Sequence, residues 1–227
     1  MSGARKPSSH PENLLAGTGT ISRYQRRETI YSQGKAARKI YYIYRGIVVL
    51  TVRSKSRRPV VIGVLGSGDF FNELCLLGHP YCLSTAVTIT SSSIRAIEKE
   101  EMIRILHQES AISDFFQSCL LSSIVRFRED KMDMLLSSSE QRLARMLLHL
   151  AHAGSNSRRM ALLPRMSQQA LAEMVGTTRS RVNFFMNRFR KRGFIHYDGG
   201  LEVRSALRNV LLDGRRSQTS PGSPSEI

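Results

Sequence analysis

Residues 168–187 read QQALAEMVGTTRSRVNFFMN, and the spacing within that stretch decides the fold. Ala172 is small where two helices would approach most closely, and Gly176 can take the positive φ that a short interhelical turn requires. Leu171, Val175, Val182 and Phe185 supply apolar positions that would lock such a pair together. In the second helix Val182, Phe185, Met186 and Phe189 fall at i, i+3, i+4 and i+7, so one face is expected to be buried. The opposite face displays Arg179, Ser180, Asn183 and Asn187, with Phe184 near its edge. Residues 179–192 hold six basic side chains and no acidic one. This is the layout of a helix-turn-helix whose second helix enters the major groove of DNA. Thr178, Arg179, Ser180, Asn183 and Phe184 are the candidate base readers. Gln168, Thr177, Arg181, Asn187, Arg188, Arg190 and Lys191 lie where phosphates would be met. The bland alternative is a helical pair packed in an ordinary core with a solvated basic face.

Outward from that stretch, Gly193-Phe194-Ile195 can start a strand, and Asp198-Gly199-Gly200 forms a hairpin turn before Leu201-Glu202-Val203, a small wing. The wing either touches the DNA backbone or only covers the core. Upstream, Ser137 and Glu140 stand at capping-box spacing, and Leu143, Met146, Leu147 and Leu150 form one apolar stripe ending near Gly154. Residues 115–136 carry Phe116, Leu120, Ile124, Phe127 and Met134 at near-heptad spacing. That seam faces either its own barrel or a second copy, and the length of the helix favours the second copy. Residues 21–97 read as short strands cornered by Gly34, Gly46, Gly66, Gly68 and Gly78, with a basic turn holding Arg53, Lys55, Arg57 and Arg58. The expected class is α+β: an N-terminal antiparallel β-roll, a long dimerisation helix and a C-terminal winged helix-turn-helix. The expected division is a tail at 1–19, a sensor domain at 20–110, the dimer helix at 111–137, the winged helix at 138–212 and a second tail at 213–227.

Composition agrees. The chain has 227 residues with 34 Lys and Arg against 18 Asp and Glu, a formal net charge of +16. Such a balance points to phosphate, in nucleic acid first and on an anionic membrane surface second. No apolar run reaches the roughly 18 to 20 residues of a membrane-spanning helix, and residues 1–20 lack the apolar stretch of a secretory signal. Three cysteines (Cys75, Cys82 and Cys119) without a Cys-x-x-Cys pair argue against a disulfide framework and for a reducing cytoplasm. His149 with His152, and His79 with Cys82, are pairs lacking a third ligand, so no metal is expected. Iron–sulfur chemistry would need a cluster of thiolates, typically four. The chain has no Gly-x-Ser-x-Gly elbow, Walker loop or His-Glu-x-x-His, and an enzyme is not expected.

Three stretches resemble the CRP/FNR family of bacterial transcription regulators. One is Gly68-Asp69-Phe70-Phe71-Asn72-Glu73-Leu74 with Thr85-Ala86 behind it, similar to the family's phosphate-binding cassette. Another is Ser138-Ser139-Glu140-Gln141-Arg142-Leu143-Ala144-Arg145, similar to the start of the helix after the dimer helix. The most specific covers residues 171–195. The resemblance implies a homodimer reading double-stranded DNA with two-fold related half-sites, a β-roll that senses an effector, and contact with RNA polymerase. It places an effector pocket at Gly68, Phe71, Asn72, Glu73, Leu74, Cys82, Leu83, Ser84 and Thr85. The pocket is degenerate: Asn72 stands where cyclic-nucleotide-binding relatives have Gly. Cys82, or Leu83 in the next register, stands where they have the arginine that holds the cyclic phosphate. A buried phosphate needs a charge-assisted, preferably bidentate partner. The expectation is a regulator that does not respond to cAMP in the usual way, with no cofactor assigned. Arg38, Lys39 and Arg45 stay open as substitutes for the missing charge. The competing readings are a ligand-independent DNA binder and a basic adaptor that binds protein.

Overall fold

The computed structural model describes residues 14–53, 59–153, 163, 166–198 and 200–211, without the side chains of Asp133, Met134, His152, Ala153 and Asp198. Lys55, Arg57, Arg58, Gly154 and Gly199, named above, lie outside the described residues. Two compact units emerge: Met1–Pro59 with Gly63–Arg126, and Val60–Ile62 with Phe127–Ile227.

The roll is built on eight strands: β1 (Thr20–Tyr24), β2 (Thr29–Tyr31), β3 (Lys39–Arg45), β4 (Val48–Val52), β5 (Val60–Leu65), β6 (Phe70–Phe71), β7 (Thr85–Thr88) and β8 (Ser92–Glu98). They form two four-stranded sheets ordered β1-β8-β3-β6 and β2-β7-β4-β5. β8 runs antiparallel to both β1 and β3, and β7 to both β2 and β4. β3 explains why its sequence, KIYYIYR, lacks polar alternation. Side chains alternate across a strand. Ile43 belongs to the cluster between the sheets with Val48, Phe71, Ala86 and Ile94, and Tyr41 packs against it. Ile40 and Tyr42 belong to a second cluster outside the sheet, with Phe70, Ile97, Met102 and Ile105. Both faces are therefore covered, and each fully buried side chain of this size contributes about 1.5–3 kcal/mol. Leu15 is also buried in the outer cluster, so the N-terminal tail expected to run through residue 19 ends sooner.

Helix α1 (Lys99–Gln108) supplies Met102 and Ile105 to that outer cluster. Helix α2 (Ser110–Leu136) spans about 40 Å at 1.5 Å per residue. The first half of its expected seam needs correction. Phe116 is buried in the outer cluster and Leu120 packs against it with Phe115 and Cys119, so these residues serve the roll itself. Ile124 and Phe127 stay exposed, and the Met134 side chain is outside the described residues. The exposed apolar stripe lies further round the helix, at Leu121, Val125, Met132 and Leu135. Two apolar faces on one helix blur the heptad, and the sequence reading fell between them.

The second unit continues past the end of α2 with α3 (Ser139–Ala153), whose buried side carries Leu143, Ala144, Leu147, Leu150 and Ala151, while Met146 is only half-buried. The capping box sits one residue later than expected. The Ser138 Oγ accepts from the Gln141 N–H at 3.3 Å, and the Gln141 side chain accepts from the Ser138 N–H at 2.9 Å. Helix α4 (Gln168–Val175) and helix α5 (Arg179–Lys191) follow, then the hairpin of β9 (Ile195–Asp198) and β10 (Gly200–Val203). Leu163 forms an isolated antiparallel bridge to Leu201.

Candidate DNA-binding surface and roll interior

The turn between α4 and α5 is fixed at every joint. The Ser167 Oγ accepts from the Ala170 N–H at 3.1 Å and caps α4. Gly176 has φ 69° and ψ 48°, the left-handed conformation glycine tolerates at a helix end. The Thr178 Oγ1 accepts from the Arg181 N–H at 3.3 Å and caps α5, so this expected base reader uses its hydroxyl as a helix cap. Leu171, Ala172, Val175, Val182, Met186 and Phe189 are buried between the helices and their neighbours. Phe185, expected in that core, is only half-buried, with its ring edge-on to Phe184 at 5.7 Å.

Sequence reasoning missed Arg142. From α3 its Nε donates to the Val175 carbonyl at 3.1 Å and its guanidinium to the Ser137 carbonyl at 2.9 Å. A cation is thereby placed on the carbonyl end of α4, where helix polarity favours it. An arginine four residues after a helix cap was the visible signal, but its target lies 33 residues away.

On the outward face of α5, Arg179, Ser180, Arg181, Asn183, Phe184 and Asn187 are all exposed. Phe184 is 62 % exposed, unusual for a phenylalanine in a helix so rich in charge. Gln168 and Asn187 both donate side-chain amide hydrogens to the Asn183 Oδ1, at 2.9 and 3.2 Å. Arg188 pairs with Glu140 at 3.1 Å, so its charge is partly neutralised within the unit. Arg190 and Lys191 are exposed at the C-terminal end of α5, and Thr177 lies half-buried in the turn.

Several of the expected pocket residues lie close together: the Cys82 thiol bonds to the Asn72 side chain, and Tyr31 meets Ser84 with Cys82 and Glu73 nearby. Phe71 faces the inner cluster, whereas Cys82 is buried in the outer one with its Sγ 4.0 Å from the Ala36 carbonyl. Leu74 and Leu83 are exposed. Asn72 has φ 62°, the left-handed region that asparagine tolerates better than most residues, which is how it replaces a glycine. Its Nδ2 donates to the Lys39 carbonyl at 2.7 Å. Gly68 turns the chain with φ 94°, and the Thr85 Oγ1 accepts from the Gln33 N–H at 3.0 Å. Burial pushes the Glu73 carboxyl up from its ordinary value. Between the sheets, Tyr31, Tyr41 and Phe71 pack ring on ring with centroids 5.0–6.0 Å apart. Burial raises the Tyr31 phenol and lifts Tyr41 to about 12; the Tyr31 hydroxyl also bonds to the buried Ser84. Among the described residues the only buried charged side chain is Arg95, which donates to the Thr18 carbonyl and lies 5.3 Å from the Tyr44 ring. It neighbours Ile94 in β8 and so points to the other side of the sheet, away from the inner cluster. Lys39 pairs with Glu98 at 3.0 Å.

Among the described residues no group of three or more His, Cys, Asp or Glu could hold a metal, and no helix is long and apolar enough to cross a membrane.

Comparison with known proteins adds an independent line. The cyclic nucleotide-binding domain profile matches residues 21–109, and the Crp-like helix-turn-helix domain profile matches residues 141–209. The chain is 25% identical over 178 residues to the CRP-like cAMP-activated global transcriptional regulator of Mycobacterium tuberculosis, covering 78% of this chain and 80% of that protein. It is 26% identical over 208 residues to the transcriptional regulator LdrP of Thermus thermophilus, covering 91% of this chain and 99% of that one. A solved CRP/FNR-family transcriptional regulator, also from Thermus thermophilus, shares the fold with a TM-score of 0.68 at 16% identity, over 86% of this chain and 98% of that one. A sensor-type roll followed by a Crp-like helix-turn-helix, in the order and over the lengths of these regulators, identifies the chain as a member of the CRP/FNR family of DNA-binding transcription regulators, a family of regulators and not of enzymes.

Proposed function

We propose that the chain is a homodimeric regulator that reads two-fold related DNA half-sites and does not take cAMP through a cassette cation. The reading of DNA is carried by one observation: α5 presents Arg179, Ser180, Asn183 and Phe184 together on an exposed face with no acid in the helix. Arg179 suits a bidentate contact to guanine, the commonest specific major-groove contact. Arg181, Arg190 and Lys191 flank it as phosphate contacts, which add affinity and steep salt dependence. The homodimer reading is supported by the exposed stripe of α2, where Leu121, Val125, Arg128, Met132 and Leu135 alternate spacings of four and three, the period of a coiled-coil seam. The paired recognition helices of such a dimer occupy successive major-groove faces. Contact with RNA polymerase belongs to this reading through family membership.

The Mycobacterium relative is described as cAMP-activated. Here an aromatic stack fills the roll interior, the uncharged Cys82 lies beside it, and Arg95, the one buried arginine among the described residues, points away. A cyclic phosphate entering that space would be desolvated without a cationic partner, at a cost of several kcal/mol. That supports a roll that packs and dimerises without cAMP, in a cytoplasmic regulator.

Fluorescence anisotropy of the full-length protein on its own upstream DNA, at fixed salt, tests this. Specific binding that cAMP leaves unchanged is the expected result. Binding that appears only with cAMP would overturn the pocket argument while leaving the DNA-binding reading intact.

A further inference from the structure

We infer that Asn183 and Phe184 together read one thymine in the operator half-site, Asn183 as a donor to its O4 and Phe184 against its C5-methyl. This rests on the proposed reading of DNA by α5 and deepens it.

An asparagine facing the major groove ordinarily selects adenine, donating to N7 and accepting from the N6 amino group at once. Asn183 lacks the accepting half of that pair. A carboxamide oxygen has two lone pairs, and both on the Asn183 Oδ1 are engaged, one by Gln168 from α4 and the other by Asn187 one turn along α5. Among the described residues no acceptor meets its NH2 group. Asn183 therefore faces outward as a donor only. Donor-only groups match guanine O6 and N7, adenine N7 or thymine O4; cytosine offers its N4 amino donor instead.

Phe184 chooses among the remaining three. It is the next residue on the exposed face, 62 % exposed, and its ring is buttressed edge-on by Phe185. An aromatic ring held in place loses little further freedom on binding and desolvates whatever it covers. Thymine alone presents a methyl group beside its acceptor, so one base satisfies both side chains. Gln168 is thereby a positioning residue: it touches no base in this arrangement but removes the acceptor from Asn183.

The test begins by selecting bound sequences from randomised duplexes with the full-length protein at fixed salt. The expected half-site contains a thymine near the guanine assigned to Arg179. That thymine is then replaced by deoxyuridine, which keeps O4 and loses the methyl, or by 5-methylcytosine paired with guanine, which keeps the methyl and replaces the acceptor with a donor. Deoxyuridine is expected to weaken the wild type several-fold and Phe184→Ala not at all. 5-Methylcytosine is expected to weaken the wild type about tenfold or more, the scale of one good base contact. Asn183→Asp, which accepts from Gln168 and Asn187 as before but has no donor, is expected to prefer 5-methylcytosine over thymine. Circular dichroism of both variants checks that the fold is retained. A selected half-site in which neither replacement changes affinity, or one with an adenine whose selectivity is lost in Asn183→Ala, overturns the inference alone. No enrichment of any sequence over random DNA would instead overturn the DNA reading on which it rests.

Discussion

Glu73 occupies the 3-10 turn Glu73–Leu77 with its carboxyl shifted upward by burial, the largest influence, against a smaller downward pull from its own backbone amide. A carboxyl whose folded pKa exceeds its usual 4.5 binds protons more tightly in the native state than in the unfolded chain. Its contribution to stability is complete below 4.5 and is lost as pH rises through the folded value. Glu73→Gln, which keeps shape and removes the charge, is therefore expected to melt higher than wild type near pH 7.5, with the gain vanishing as pH falls toward 4.5. Thermal melts at both pH values check this; a gain that persists at the lower pH would assign it to packing instead. At this scale residue identity was readable and residue conformation was not. That Asn72 replaces a glycine is visible in the string; that it can do so through a left-handed φ is not. Cys82 lies in no strand, and its burial beside the Ala36 carbonyl depends on a neighbour remote in sequence.

Among the elements, the helix-turn-helix was the most legible, because local rules determine it: one small residue, one glycine at positive φ, and apolar positions on a helical period. The capping box slipped by one residue since three consecutive serines at 137–139 can each cap, and Gln141 rather than Glu140 decided between them. The first half of the expected α2 seam serves the roll instead, a long-range fact that periodicity does not carry. The target of Arg142 was hidden for the same reason. Its hydrogen bonds to the Val175 and Ser137 carbonyls are charge-assisted, a class worth about 1.5–3 kcal/mol in sum for a charged group. Arg142→Met keeps the apolar stem and is expected to lower stability by about that amount in urea denaturation monitored on the full chain. A loss below about 0.5 kcal/mol, the range of ordinary surface substitutions, would show that water replaces those bonds at no cost.

For the whole molecule, a formal charge of +16 and the order of texture from strands to helices already implied a basic two-part regulator. Charge pointed to phosphate but not to the side chains that meet it, and it said nothing of subunit number. The exposed stripe of α2 makes that question testable. Leu121 is 63 % exposed and Val125 is 53 % exposed, so charging them leaves the core of the roll intact. The double variant Leu121→Glu, Val125→Glu is expected to sediment as a monomer at concentrations where wild type is a dimer. Its affinity for a two-half-site operator should fall steeply, because each half-site is then bound alone. A variant that remains dimeric would place the subunit contact elsewhere.

The doubly covered strand β3 bears on how such a chain tolerates genetic drift. Where one face of a strand meets water, every second codon is nearly free to change. In residues 40–43, Ile40 and Tyr42 close the outer cluster while Tyr41 and Ile43 close the inner one, so no codon in that run is free. The proposed loss of a cassette charge leaves the architecture intact, since Cys82 is buried and Leu83 exposed without one. A polar replacement in this run would breach one cluster or the other. A lineage can therefore shed a ligand from this roll far more readily than it can rewrite the strand at its centre.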